Sequence, residues 1–209
     1  MLAVHLGSRS PRRRALLEAA GVSIVGTDNP DCDETWRAGE HPVSYARRVA
    51  LAKAHATAAM QGSPPSAPIL TADTTVWIRP DGAPLGKPRD AADLLAMLAA
   101  LRAARRHHVT TAFTIAASGD PVVTEHVTTH VYLSPPPAAE LASYLASDEW
   151  RDKAGGYAIQ GLASAWASRI EGSYSSVVGL PTVEVVAALR RLRARRHDPA
   201  PPPAAGASA

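Results

Sequence analysis

The chain has 209 residues, of which 46% are hydrophobic and 20% charged, proportions that predict a soluble globular domain, single or divided into two lobes. It has no run of about 18 apolar residues, so no membrane span or membrane partner is expected. Its single cysteine, Cys32, excludes an intramolecular disulfide and a cysteine-based zinc site. The apolar stretch at the N-terminus is too short for a secretory signal, so a cytoplasmic protein is expected.

The formal net charge of +3 is small, but basic residues concentrate at residues 9–14, 102–108 and 190–197. Nucleic-acid binding would require such clusters on one face, together with aromatic side chains that stack on bases. Aromatic residues make up only 5% of the chain and do not alternate with basic ones. A phosphorylated small molecule therefore explains the first cluster as well as a nucleic acid does, and we expect no stable nucleic-acid complex.

Hydrophobic periodicity, capping residues and turn residues predict alternating strands and helices, the pattern of an α/β protein. In chain order, the expected elements are a strand at residues 2–6, a helix at 11–20, a strand at 22–25, a helix at 42–60, strands at 69–72 and 76–78, a helix at 91–104, strands at 109–117 and 122–133, a helix at 138–146, a strand at 163–170 and a helix at 181–196. Residues 1–196 are expected to form one domain, and the Pro/Ala-rich residues 197–209 a disordered tail.

The loop after the first expected strand is the first candidate for ligand binding. Ser10 is a suitable N-cap, and Pro11 a suitable first residue, for the helix that follows. Free backbone N–H groups at a helix start favour an anion, and the forked guanidinium of arginine matches phosphate geometry. Arg12 and Arg13 lie in the first turn of this helix, so a phosphate site is expected. A surface corner with incidental arginines is the alternative.

A carboxylate and a lysine flank the next expected hairpin. Asp73 directly follows the apolar run at residues 69–72, and Lys87 follows the second run, at residues 76–78, and a turn at residues 80–82. Both side chains can face one cleft, where Asp73 would hold a cation or a water molecule and Lys87 a phosphate oxygen. The alternative is that Asp73 caps a turn and that Lys87 is solvated.

Two further polar segments add candidate residues. The loop at residues 28–34 contains several close carboxylates, which are usually solvated but can hold a divalent cation when they face basic residues. Residues 152–161 contain three glycines, which permit a close backbone approach, and Lys153 and Gln160 can point into a shared site there. The amide of Gln160 can donate and accept hydrogen bonds at once, which suits the edge of a nucleobase.

Five motifs in register resemble the Maf (septum formation inhibitor) family over residues 2–195. They are LGSRSPRR at residues 6–13, ADT at 72–74, GKP at 86–88, DKAGGYAIQG at 152–161, and GSY with VVGLP at 172–181. The resemblance implies a nucleoside triphosphate pyrophosphatase that cuts between the α- and β-phosphates with a divalent cation, Mg²⁺ or Mn²⁺. It also implies a mixed twisted sheet flanked by helices, with two lobes around a central cleft as in inosine triphosphate pyrophosphatases, and a homodimer.

The resemblance also implies roles for individual residues. Asp73 matches the proton acceptor, and Glu34 with Asp73 would hold the cation. The expected substrate-binding residues are Ser8, Arg12, Arg13, Lys53, Thr74, Lys87 and Gln160, to which the glycine-containing segment adds Lys153. Arg12, Thr74 and Gln160 together resemble the branch that acts on dTTP and UTP, which implies a house-cleaning role and a role in arresting cell division. We expect hydrolysis without a covalent intermediate, because no Ser-His-Asp or Cys-His set is apparent.

Other readings stay open, and the sequence departs from the family pattern in places. The first alternative is a nucleotide-binding regulator of septum formation with little turnover, and the second is a pyrophosphatase for another base. The third is a nucleic-acid binder with steeply salt-dependent affinity. Gly7 stands where alanine is usual, Ala158 stands where glycine is usual, and the corner at residues 102–106 is one residue longer. These departures concern the expected phosphate loop, the base-side loop and the end of one helix.

Overall fold

A computed structural model describes residues 1–61, 66–117, 120–133 and 138–197, which form six strands and six helices. In chain order these are β1 (Leu2–Leu6), α1 (Pro11–Ala19), β2 (Val22–Thr27), α2 (Pro42–Met60), β3 (Ile69–Trp77), α3 (Ala91–Ala104), β4 (Arg106–Ala117), β5 (Asp120–Leu133), α4 (Ala138–Ser147), β6 (Ala167–Glu171), α5 (Tyr174–Val178) and α6 (Thr182–His197). Apart from His197, the expected tail lies outside the described residues. Among those residues, no helix combines the length and the apolar character that crossing a membrane requires.

The strands form one mixed sheet, as the family resemblance implies, and their order is β2-β1-β3-β4-β5-β6. β1 is parallel to both of its neighbours, whereas β3, β4, β5 and β6 follow one another as antiparallel strands. Leu6, the last residue of β1, pairs with Leu70 near the start of β3, and β3 then continues to Trp77. The loop after β1 therefore lies beside the middle of β3, where Asp73 is found.

Helix α2 covers one face of the sheet because its inner side carries small residues. Ala46, Ala50 and Ala54 are buried, which allows the helix backbone to approach the strands closely. The hydroxyl of Thr71 donates to the carbonyl oxygen of Ala50 at 2.7 Å, which fixes the helix along β3. Lys53 follows in the next turn, so this contact sets the lysine opposite Asp73.

The opposite face of the sheet carries the larger part of the apolar core. Leu70, Ala72 and Val76 point to this face, since side chains alternate along β3. One buried cluster packs α1, α6 and the parallel strands around Leu17 and Leu180, and a second packs α3, α4 and the antiparallel strands. Leu16 of α1 packs against both clusters, so the two adjoin on this face of the sheet.

Three local predictions need correction. The runs at residues 69–72 and 76–78 are one continuous strand, because hydroxyl groups between them find partners across the sheet, as Thr74 does with Thr111 at 2.9 Å. The strand expected at residues 163–170 begins only at Ala167, after a 3-10 turn at Leu162–Ala165 that starts where the carboxylate of Glu149 accepts from the backbone N–H of Leu162 at 2.9 Å. Helix α5 was not predicted, although it has an N-cap, Ser173.

Candidate active site

All the residues that the sequence singles out for binding or catalysis line one cleft of about 840 Å³. They are Ser8, Arg12, Arg13, Glu34, Lys53, Asp73, Thr74, Lys87, Lys153 and Gln160. They come from the loop after β1, from α1 and α2, from the acidic loop, from β3 and the segment after it, and from the segment between α4 and β6. The fold thus gathers six separate parts of the chain at one place.

The loop after β1 is built as the capping pattern predicts. The hydroxyl of Ser10 accepts from the backbone N–H of Arg13 and caps α1, with Pro11 as the first helical residue. The hydroxyl oxygen of Ser8 accepts from the backbone N–H of Ser10 and from the guanidinium of Arg13, each at 3.2 Å. Ser8 is buried, so these two contacts lie inside the loop at the start of the helix.

Arg13 is held by the protein on several sides. Its Nε donates to the carbonyl oxygen of Gly179 at 2.9 Å, and its two terminal nitrogens donate to Ser8 at 3.2 Å and to Thr74 at 3.4 Å. These contacts use three of the five N–H donors of a guanidinium and leave two. Burial lowers the pKa of Arg13, and the nearby carboxylate of Asp73 opposes that shift. Arg13 therefore presents a fixed positive charge and two donors that have no partner among the described residues.

Lys53 joins the two candidate carboxylates. Its Nζ lies 2.8 Å from Oδ1 of Asp73 and 3.1 Å from Oε1 of Glu34. The side chain of Asp73 is only 9% exposed, whereas that of Glu34 is 52% exposed, so Asp73 lies at the floor of the cleft and Glu34 at its mouth. Two carboxylate oxygens that converge on one ammonium group define a position for positive charge.

The acidic loop is held in place by contacts that the sequence did not reveal. The hydroxyl of Tyr45 donates to the backbone carbonyl oxygen of Glu34 at 2.9 Å. Burial, together with the nearby carboxylates, raises the pKa of Tyr45 to about 12, so this donor keeps its proton at neutral pH. Arg48 binds both oxygens of Glu40 at 2.7 Å, and the indole of Trp36 donates to the carbonyl oxygen of Glu40 at 3.0 Å.

Tyr45 and Trp36 also line the cleft, and sequence reasoning missed both. The loop that carries Trp36 has no hydrophobic period that would place its indole. Tyr45 lies in the first turns of α2, on a different side of the helix from the buried alanines. This position is the only sequence signal that could have placed its side chain in the cleft. Tyr157 and the carbonyl oxygen of Gly179 were missed as well, because no single-residue signal distinguishes a wall residue from a core residue.

The opposite wall comes from the segment between α4 and β6. The backbone N–H of Gly155 donates to the carbonyl oxygen of Gly86 at 2.9 Å, which brings Lys87 and Lys153 to the same side of the cleft. Burial lowers the pKa of Lys153, and the charges of Arg12 and Lys87 lower it further. Gln160 is exposed at the end of this wall, so its amide is available to a ligand.

The donor set fits a hard divalent cation in part. The described residues contain no group of three or more His, Cys, Asp or Glu side chains arranged to hold a metal ion. Glu34 and Asp73 supply two carboxylates around one position for positive charge. Mg²⁺ in nucleotide enzymes is commonly held by one or two carboxylates and by the phosphates of the substrate, so a pair is sufficient when a phosphate completes the set.

Comparison with known proteins agrees with this geometry. Residues 3–192 match the family described as Maf-like protein. A relative from Burkholderia thailandensis named dTTP/UTP pyrophosphatase is 45% identical over 195 residues, which cover 90% of this chain and 91% of the relative. A protein of the same name from Cereibacter sphaeroides is 46% identical over 184 residues, which cover 88% and 92% of the two chains.

A solved structure shows the fold independently of close sequence similarity. A HAM1 protein from Coxiella burnetii superimposes with a TM-score of 0.51 at 18% identity, over 92% of this chain and 100% of that one. This likeness confirms the expected α/β fold with a mixed sheet flanked by helices. The family match extends over most of the residues that build the cleft, and the chain therefore belongs to the Maf-like protein family.

Proposed function

We propose that this chain is a nucleoside triphosphate pyrophosphatase that hydrolyses dTTP and UTP to the monophosphate and pyrophosphate. The observation that carries the proposal is the setting of Asp73, a nearly buried carboxylate at the floor of a cleft lined by Arg9 and by five further cationic side chains that the sequence singles out. Those side chains are Arg12, Arg13, Lys53, Lys87 and Lys153. Such a cleft suits a highly anionic substrate whose hydrolysis requires a carboxylate as the proton acceptor. The names of the two curated relatives support the same activity and the same nucleotides.

In the proposed reaction, Asp73 accepts the proton of the water molecule that attacks the α-phosphorus. The bond between the α-phosphorus and the bridging oxygen breaks, and pyrophosphate leaves with the electron pair. Arg12, Arg13 and Lys87 offset the negative charge that develops on the phosphate oxygens, which is the contribution expected of preorganised cations in a partly closed site. Lys53 balances the charge of Asp73 and lies where it can also reach a phosphate.

Glu34 and Asp73 are the proposed ligands of the divalent cation, Mg²⁺ or Mn²⁺. They fit this role because their oxygens already converge on a positive charge, that of Lys53. A cation bound there would polarise a phosphoryl oxygen and neutralise part of the triphosphate charge.

Gln160 and Thr74 are the proposed base-side residues, with Arg12. The Watson–Crick edge of uracil or thymine presents an N–H donor between two carbonyl acceptors, and an amide can satisfy a donor and an acceptor together. The exposed amide of Gln160 is available for these contacts at the end of the wall. We further propose that the protein acts in the cytoplasm, as a homodimer, in removing unwanted nucleotides and in arresting cell division.

The test is release of pyrophosphate from a panel of nucleotides with Mg²⁺ or Mn²⁺. Fast release from dTTP and UTP, and slow release from CTP, GTP and ITP, is expected. Asp73→Asn should lower turnover by about a thousandfold or more while leaving the circular dichroism spectrum unchanged. Release from another base alone would retain the chemistry and refute the base assignment. Tight nucleotide binding without turnover by the well-folded protein would refute the enzyme and favour a nucleotide-binding regulator.

A further inference from the structure

The wall that carries Gln160 has little regular structure, so its shape depends on contacts from behind. Its regular structure is limited to two 3-10 turns, at Ala154–Gly156 and Leu162–Ala165, and both Gly155 and Gly156 have φ near +70°. The ring of Tyr157 points inward from this wall and is only 6% exposed, although the residue also lines the cleft. The position of Gln160, three residues further on, is therefore coupled to whatever holds Tyr157.

Two fully buried side chains hold this wall residue. The hydroxyl of Tyr144 donates to the carbonyl oxygen of Gly156 at 3.1 Å and accepts from the backbone N–H of Ala158 at 3.2 Å, so it clasps the backbone on both sides of Tyr157. The hydroxyl of Tyr157 lies 2.7 Å from Nε2 of His107, with the two rings edge to face. Tyr144 comes from α4 and His107 from β4, so both rest on regular elements.

Burying the polar ring of His107 at this position costs folding free energy. It is completely buried, and burial lowers its pKa to about 3, so the ring is neutral near pH 7. Its Nδ1 is buried and has no hydrogen-bond partner in the described part of the chain. The contact with Tyr157 is thus the one polar contact found for the ring among those residues. An apolar side chain could fill the same space without this desolvation penalty.

We infer that His107 and Tyr144 are positioning residues for base recognition. Through Tyr157 they hold the wall that presents Gln160, and they do so without touching the substrate. The inference rests on the proposed function, in which residues 157–160 of this wall meet the base, while Lys153 of the same wall, Lys87 and the loop after β1 meet the phosphates. It follows that loosening Tyr157 should impair the base side of the cleft and spare the phosphate side.

The two products of the proposed reaction can be used to probe the base side and the phosphate side of the cleft separately. Calorimetric titration with UMP or dTMP probes the base side, and titration with pyrophosphate probes the phosphate side. Tyr157→Phe removes one hydroxyl group and keeps the ring. It should weaken UMP and dTMP binding about 5- to 10-fold, lower the preference for UMP over GMP by a similar factor, and change pyrophosphate binding less than about twofold. Tyr144→Phe should act in the same direction.

Tyr132→Phe is the matched control, because the hydroxyl of Tyr132 also has one side-chain partner, Glu171 at 3.1 Å, but this tyrosine lies on β5 and does not line the cleft. It should change neither affinity. Unchanged UMP binding in Tyr157→Phe, or an equal loss of UMP and pyrophosphate binding, would overturn the inference. A separate result would refute the proposed substrate. If the wild-type protein prefers GMP, the pyrimidine assignment is refuted, and the inference stands only if GMP binding then falls in Tyr157→Phe while pyrophosphate binding does not.

Discussion

Replacing Lys53 by methionine should tighten the binding of a divalent cation to the nucleotide-free protein, even though it removes a charge that the proposed reaction uses. The ammonium of Lys53 lies 2.8 Å from Asp73 and 3.1 Å from Glu34, where a cation held by both carboxylates would have to be. The ammonium must therefore move aside when the metal binds, and even when it has moved to about 4 Å from a divalent cation the two repel each other by about 2 kcal/mol at the dielectric constant of water. Removing Lys53 should therefore raise the affinity by roughly 30-fold or more.

Electron paramagnetic resonance of free Mn²⁺, titrated into nucleotide-free protein, measures this affinity directly. Lys87→Met is the matched control: it removes the same charge from the same cleft, but in the described structure Lys87 makes no ion pair with either carboxylate. It should change Mn²⁺ affinity only slightly, whereas both variants should lower turnover. Equal Mn²⁺ affinity in Lys53→Met and in the wild type would refute the idea that Lys53 and the metal compete for one position.

Three other predictions concern stability. Because burial holds the pKa of His107 at about 3 in the folded protein, against 6.5 ordinarily, the unfolded chain takes up the proton first and stability falls as the pH drops below about 6.5. Between about pH 7 and pH 5, urea titrations should show a loss of unfolding free energy about 2 kcal/mol larger in the wild type than in His107→Phe, and parallel losses would contradict the burial argument. Gly156→Ala should destabilise by about 2–4 kcal/mol in thermal melts, because φ is +70° there and a Cβ would collide with Leu94; a loss below about 1 kcal/mol would show that the turn adapts. Gly7→Ala should cost about 1–3 kcal/mol because its methyl group would meet the hydroxyl of Thr57 and the methyl group of Thr71. Additive losses in a double variant with Thr57→Ala would argue against the clash with Thr57.

The phosphate loop and the carboxylate of β3 could be predicted because their signals are local. A serine N-cap followed by proline marks a helix start within a few residues, and Ser10 and Pro11 occupy these positions in the structure. An acidic residue after a buried apolar run is equally visible, and Asp73 lies in the cleft. The family resemblance then joined these motifs, although they are far apart in the chain, and the cleft brings their residues together.

The contacts that hold Arg13 and the wall with Gln160 were beyond sequence reasoning, because they join residues distant in the chain. The residues around Tyr157 give no sign that its ring lines a cleft. Only the fold shows that its hydroxyl meets His107, 50 residues earlier. The same limit explains the strand expected at residues 163–170. Its apolar residues suit a strand or a buried turn equally, and the carboxylate of Glu149 decides for the turn. Helix α5 has five residues, too few to show a helical period.

Nε of Arg13 donates to the carbonyl oxygen of Gly179, which lies 166 residues later in the chain. This separation affects how the protein folds during synthesis. During synthesis, Arg13 leaves the ribosome 166 residues before Gly179 does. The parallel strands and α1 can form early, but the arginine lacks its main anchor until α5 has emerged. A chain that stops before α5 therefore carries an unfinished phosphate loop, and we expect it to bind phosphate more weakly than a chain that includes Gly179.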